Sequence, residues 1–328
     1  MTADTEASQE CAFVDLSPRA KVRMSGADAV MHLHKFCTND VVNLPVGRGC
    51  EAFVLDAKGQ VQFYALVHRR DDGLLLELPA AEWETDAAAR LIKFLGKYVI
   101  VEKVEFADET DELGALWIGG TDATALLADA LQVAPPDEVL EAVDCPSVGV
   151  GAWLVRGMQG EQPNFMLFGR PEQLDTAQVR LSASGITDRD YAWYDAARIA
   201  AGVPLLGRDI LEKTLPQEVH RNAQTLNFRK GCYLGQETVA RLDAMGHVNK
   251  TLLRLQGAED VGAGAFAPLM ADEVVELRAG DQVVGRLTSL VRETSGAVVA
   301  LGMVRVAVNQ PGVKLASDRG TFVVRGST

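Results

Sequence analysis

The chain predicts an α+β protein that ends in a small all-β module. Three observations carry this. Helix-like and strand-like hydrophobic patterns alternate as far as about residue 245. The opening of one helix, Gly26-Ala27-Asp28-Ala29, is echoed at Gly120-Thr121-Asp122-Ala123, as though the pattern restarts. From about Thr251 the chain turns to short β-rich runs separated by Gly, Asp and Ser, which suggests a small barrel or sandwich. The expected division is a first α+β domain over 1–112, a second over 113–248 that carries a cysteine motif, and the β-rich domain over 249–328.

In order along the chain, the first predicted helix runs to about Phe36, with Ala29, Val30, Leu33, Phe36 and Cys37 on one face. Cys37 therefore reads as core. His32 and His34 are two apart, point in different directions on a helix, and read as solvated. Strands are expected over 51–55, 61–69 and 74–78, a helix over 82–95, and a strand over 98–106. The acidic run at 108–112 reads as a solvated loop. After the echoed helix, Pro135-Pro136 breaks the chain. Strands follow over 148–155 and 165–168, then helices over 171–184 and 190–201, the latter stopped by Gly202 and Pro204. Residues 204–229 are long and irregular, and a loop of that length inside a domain favours a functional role. Five β runs complete the reading, over 252–255, 273–278, 282–290, 297–304 and 321–324.

The 328 residues carry a net charge of −13 and 48% hydrophobic residues. That is ample for a globular core. The acidic balance argues against a broad nucleic-acid or anionic-membrane surface. The first eleven residues lack an apolar stretch and do not read as a secretory signal. No apolar run approaches the ~18 residues of a membrane span. The five cysteines, Cys11, Cys37, Cys50, Cys145 and Cys232, are scattered and form no Cys-X-X-Cys. This spacing fits a reducing cytoplasm, and it offers no local ligand set for a permanently bound metal or cluster.

The most informative stretch is Arg229-Lys230-Gly231-Cys232-Tyr233-Leu234-Gly235-Gln236-Glu237. Two glycines around one thiol suggest a tight turn that presents the sulfur. A helix is expected after Gly235, with Gln236 and Glu237 in its first turn. Cationic neighbours and a helix N-terminus both favour a thiolate. The alternative reading is a cysteine that packs as a small hydrophobe in an ordinary turn.

Lys-Gly-Cys-Tyr-Leu-Gly-Gln-Glu at 230–237 resembles, at all eight positions, the K-G-C-[FY]-x-G-Q-E signature of YgfZ-type folate-binding proteins. These are homologues of the glycine-cleavage aminomethyltransferases (T-proteins). Gly26-Ala27-Asp28-Ala29, Thr38-Asn39-Asp40-Val41, Pro216-Gln217 and the run Arg198 to Pro204 are similar to further family segments. The resemblance implies an aminomethyltransferase-like three-lobed fold with a C-terminal small β-barrel and a central opening for tetrahydrofolate. It implies a cytoplasmic accessory protein for iron–sulfur enzymes, connected with tRNA modification. Its partners would be folate and iron–sulfur client proteins or assembly factors, with no direct nucleic acid and no membrane. In this reading Cys232 supplies a thiolate, Lys230 and Arg241 lower its pKa or bind an anion, and Gln236 and Glu237 fix the turn or relay protons. Tyr194, Arg198, Tyr233 and Arg241 are the expected folate-binding residues, with Tyr194 stacking on the heterocycle.

Two departures bear on chemistry. The aminomethyltransferases carry an Asp-Asp pair after a Gly-Gly in the second strand of the first domain, where this chain has Gly59-Gln60-Val61-Gln62-Phe63-Tyr64 with no carboxylate, which argues against glycine-cleavage chemistry. Ala200 stands where the family's Arg-X-Glu-Ala-Gly places a glutamate that hydrogen-bonds the pterin, and a methyl group accepts no hydrogen bond. A folate-dependent one-carbon transferase is the alternative function.

Overall fold

The computed structural model describes residues 11–325, apart from 159, 161, 260, 262–268, 271–272 and 294. The acidic N-terminal stretch read above lies almost wholly outside the described residues.

The first strand, β1 (Ala12–Asp15), is followed by β2 (Lys21–Ser25), β3 (Gly49–Leu55), β4 (Val61–Arg70), β5 (Gly73–Glu77) and β6 (Glu105–Asp108). Strands β2 to β6 form an antiparallel sheet in the order β3-β4-β5-β2-β6. Helices α1 (Ala29–His34) and α2 (Ala87–Gly96) pack against it. The second sheet takes β7 (Gly114–Gly119), β8 (Ala142–Asp144), β9 (Trp153–Arg156), β10 (Asn164–Gly169) and β11 (Thr187–Asp188). Its order is β11-β1-β7-β10-β9-β8, so β1 crosses from the chain's start into the later sheet. Helices α3 (Ala123–Leu131) and α4 (Pro171–Ala183) pack on each other over this sheet.

The echoed tetrapeptides have the same local geometry. Each begins at a glycine with positive φ (Gly26 and Gly120) and enters its helix through an aspartate, Asp28 or Asp122. In each, the first helical alanine N–H donates to the glycine carbonyl. A side chain at Gly26 would meet the Lys103 carbonyl oxygen at 2.3 Å.

The β-rich tail closes into a six-stranded barrel. Its strands are β12 (Lys250–Gly257), β13 (Val275–Ala279), β14 (Gln282–Arg292), β15 (Val298–Arg305), β16 (Lys314–Ser317) and β17 (Gly320–Val324). Alternating apolar residues such as Leu253, Leu255, Leu277, Leu287 and Phe322 fill the interior. Between the lobes run α5 (Tyr191–Ala200), α6 (Asn222–Thr225) and α7 (Gln236–Met245). Helix α5 touches β1, β14 and β15, so it is the element shared by the second sheet and the barrel. The cysteine segment packs on the first sheet's core through Tyr233, Leu234 and Val239.

Several local expectations are corrected. His32 is buried, not solvated, and its Nε2 lies 3.1 Å from the Leu95 carbonyl oxygen. His34 is also mostly shielded, with its Nδ1 3.5 Å from Asp40 Oδ1. The helix expected over 82–95 starts at Ala87, after a turn held by the Glu84 and Ala87 N–H groups. The strand expected over 98–106 is confined to β6, because Ile100 and Val101 are 86% exposed and pair with no strand. In the acidic run, Glu109 is held by Arg23. Cys37 is fully buried, as its position on the helix face implies.

Candidate functional site

The predicted residues fall into two places. Cys232 is exposed, whereas Cys11, Cys37 and Cys145 are buried and Cys50 is half-buried. Its turn is fixed from both sides. Asn227 Oδ1 accepts from the Arg229 and Lys230 N–H groups, and the Leu234 N–H donates to the Lys35 carbonyl. Lys230 is buried, and its Nζ donates to three carbonyls at the end of α1: His34 at 2.7 Å, Cys37 at 2.6 Å and Asn39 at 2.9 Å. Burial lowers its pKa, while the Cys37 and Asp40 side chains pull it back up. The lysine therefore anchors the turn. The cation expected to attend the thiol is held at α1.

Gly235 (φ +81) and Gly59 (φ +78) lie against each other where the thiol turn meets the β3–β4 turn. A Cβ on Gly235 would come within 2.5 Å of the Asp56 carbonyl oxygen. Gly235→Ala is therefore expected to cost about 2–3 kcal/mol in denaturant unfolding, from strained φ and backbone overlap together. A change under 0.5 kcal/mol would show that the two turns do not need this contact. Gln236 and Glu237 open α7 as expected, Glu237 and Arg241 are exposed, and Tyr233 is buried with Lys230 Nζ 4.9 Å from its ring centroid.

The second place is a cavity of about 710 Å³ between the first two sheets, α5 and the β14–β15 turn. That lies within the range of small-ligand sites. Tyr194, Arg198 and Ala200 line it; Lys230, Cys232, Tyr233, Gln236, Glu237 and Arg241 do not. Cys232 is thus not part of the cavity lining, and neither are Tyr233 and Arg241, which were expected to bind folate.

Tyr194 is 3% exposed. Its ring packs edge-on to Trp117 and beside Tyr191, with the Arg19 guanidinium carbon 4.9 Å from its centroid. Arg198 reaches the cavity wall, but its guanidinium is enclosed by protein. Nε donates to Asp195 Oδ1, Nη1 to Asp209 Oδ2 and the Val203 carbonyl, and Nη2 to Ser289 Oγ. It holds α5 to the barrel. At the departure from the aspartate pair, the Tyr64 hydroxyl donates to Glu51, whose carboxylate is clasped by Arg221.

Residues not anticipated from the sequence also line this cavity. Antiparallel pairing of β4 with β5 sets Leu66 opposite Glu77 and His68 opposite Leu75, which puts His68 and Glu77 on one face. Arg19, from the β1–β2 connection, donates through Nη1 to Glu77 Oε1 at 2.5 Å. His68 Nε2 is 3.6 Å from Glu77 Oε2, longer than a hydrogen bond. The one signal in the sequence is Glu77 itself, a lone carboxylate in the apolar run Leu74-Leu75-Leu76-Glu77-Leu78.

Burial alone would raise the Glu77 carboxyl, but the Arg19 guanidinium, with the His68 ring beside it, outweighs that and holds the pKa at about 2, below the ordinary 4.5. The folded-state value is the lower one. The carboxylate thus contributes its full stability above pH 4.5, and that contribution disappears as pH falls toward 2. Acid titration of stability should show this limb, about 3 kcal/mol in size, and Glu77→Gln should flatten it. An unchanged acid limb in that variant would contradict the assignment.

The geometry can be set beside known proteins. The family model described as the GCVT N-terminal domain matches residues 4–223, and the chain belongs to that family. Among curated relatives, the tRNA-modifying protein YgfZ of Colwellia psychrerythraea is 26% identical, over 96% of this chain and 91% of its own. The protein of that name from Klebsiella pneumoniae is 29% identical, over 82% and 77%. A probable aminomethyltransferase of Natronomonas pharaonis is 29% identical, over 95% and 83%. Among solved structures, the glycine cleavage system aminomethyltransferase T of Bartonella henselae superposes with a TM-score of 0.75. That likeness covers 97% of this chain and 86% of the other at 19% identity, and it shows the fold. The expected resemblance to YgfZ proteins and the aminomethyltransferase-like fold with its barrel are borne out. Among the described residues no helix is long and apolar enough to cross a membrane.

Proposed function

We propose that the protein binds a reduced folate in the cavity beside α5 and serves the assembly or repair of iron–sulfur enzymes through the Cys232 thiolate, in a setting of tRNA modification. The carrying observation is the cavity of about 710 Å³ walled by the segment from Tyr194 to Ala200. Two features support the second half of the reading: an exposed thiol on a turn anchored by Lys230, and curated relatives named as tRNA-modifying proteins. Because Cys232 is outside the cavity lining, folate and thiol act here as separate stations on one molecule. Folate then tunes or reports the protein's state, while the sulfur meets a partner at the surface. Its ligands for any iron or sulfur species come in part from that partner.

Calorimetric titration with tetrahydrofolate tests the first half. Saturable binding is expected, together with a rise in melting temperature. No heat and no thermal shift at millimolar ligand would end the folate reading.

A further inference from the structure

Ile100 and Val101 are adjacent, and each is 86% exposed. They form the tip of the connection between α2 and β6, and hydrogen bonds fix that tip. Glu102 Oε2 accepts from the N–H groups of both residues, at 3.0 and 3.2 Å. The Lys103 N–H donates to Asp28 Oδ2, and the Lys103 carbonyl accepts from the Asp28 N–H, which ties the base of the tip to the start of α1. Holding two aliphatic side chains in water on a fixed backbone has a hydration cost that a partner covering them recovers.

The tip is joined to the thiol turn through one residue. Lys35, at the end of α1, places its Nζ 3.7 Å from Glu102 Oε1, and its carbonyl accepts from the Leu234 N–H, two residues from Cys232. Met31, one helical turn before Lys35, and Phe228, four residues before Cys232, are also exposed. The charge here runs against that of the whole chain. Residues 93–103 hold three lysines and one glutamate, in a chain of net charge −13. The glutamate is Glu102, whose carboxylate is turned back onto the tip's own N–H groups and Lys35. Lys97, Lys103 and Arg229 are exposed and have no carboxylate at salt-bridge distance among the described residues.

We propose that the Ile100–Val101 tip, with Lys35, Lys97, Lys103 and Arg229 as its cations, is the docking face that brings an acidic protein with an apolar cleft to Cys232. This rests on the proposed use of the Cys232 thiolate and deepens it by naming the surface the partner meets. The two aliphatic side chains fill the cleft, and carboxylates on its rim meet the cations. The fixed backbone of the tip keeps the ordering cost of binding low. A nucleic acid fits less well, because four separate cations neutralise few phosphates and the most exposed groups are aliphatic rather than rings for stacking. A membrane also fits less well, because two aliphatic side chains give little anchorage.

The test uses two double variants, Ile100→Ser with Val101→Ser and Lys97→Glu with Lys103→Glu, and a control, Val179→Ser, at an exposed position on α4. Each is placed in a strain lacking the native protein, and the activity of an iron–sulfur enzyme that fails there is measured. Both double variants should lose support at least ~tenfold, the scale of a lost interface hot spot, while Val179→Ser matches the wild type. In the purified double variants the melting temperature should stay within about a degree of the wild type, and Cys232 should be alkylated by iodoacetamide at the wild-type rate. Full support by either double variant, with Cys232→Ala failing, overturns the docking face and leaves the thiol reading standing. If Cys232→Ala also gives full support, the thiol reading falls and the face falls with it. A lowered melting temperature in the serine variant makes the tip structural and overturns the proposal. The purified chain is also titrated with bulk tRNA and with phosphatidylserine vesicles; binding to either that the serine variant abolishes replaces the acidic protein as the occupant and overturns it too.

Discussion

Replacing Arg198 by alanine is expected to destabilise the protein by about 3–5 kcal/mol, the cost of breaking a buried ion pair from one side. Arg198 joins Asp195 on its own helix, Asp209 in the following loop and Ser289 on β14, with its side chain only 1% exposed. Asp209 also accepts from Thr288 and Ser289 and from the Leu205 N–H. Without the guanidinium, two carboxylates remain buried with no countercharge. Arg198→Lys should rescue little, since one ammonium cannot span a fork of partners on three segments. Urea unfolding would measure the loss. Tryptic cleavage after Arg241 and Lys250, which flank the link from α7 to the barrel, should rise as the barrel's attachment to α5 loosens. A melting temperature within a degree of the wild type would show that the network contributes no net stability.

Replacing Cys232 by alanine should have the opposite profile. The residue is exposed and its turn is fixed by backbone bonds and Lys230, so stability should change by under about 0.5 kcal/mol. Folate affinity should also hold, because Cys232 does not line the cavity. Support of iron–sulfur enzyme activity in a strain lacking the native protein should nevertheless be lost, and Cys232→Ser should fail as well, since a hydroxyl is a far weaker nucleophile and metal ligand than a thiolate. Full support by either variant would remove the sulfur from the mechanism.

Both predictions concern residues visible in the sequence, yet the structure assigns them unequal roles. Cys232 was legible because its motif is local: turn, thiol and helix start follow one another within seven residues. The barrel was legible because short strands and turns alternate in the composition itself, though β16 went unseen in a charged stretch. Arg198 was legible as a family position, but its partners Asp209 and Ser289 lie 11 and 91 residues away, so its structural task was not. The Arg19–Glu77–His68 wall is a matter of strand register. Glu77 and His68 meet only once β4 folds back on β5, and Arg19 arrives from 58 residues before Glu77. Strands β1 and β2 were missed for a related reason: each is four or five residues long and is defined by partners far along the chain.

The carbonyl cage around Lys230 has a chemical parallel. Three peptide oxygens at 2.6–2.9 Å are the kind of surroundings in which an alkali-metal ion is bound, and here the cation is covalently tethered to the chain. It cannot be dialysed away, exchanged for sodium or stripped by a chelator. The shape of the sulfur-bearing loop is thereby made indifferent to the ionic make-up of its surroundings, a useful property in a protein whose proposed clients trade in loosely held iron.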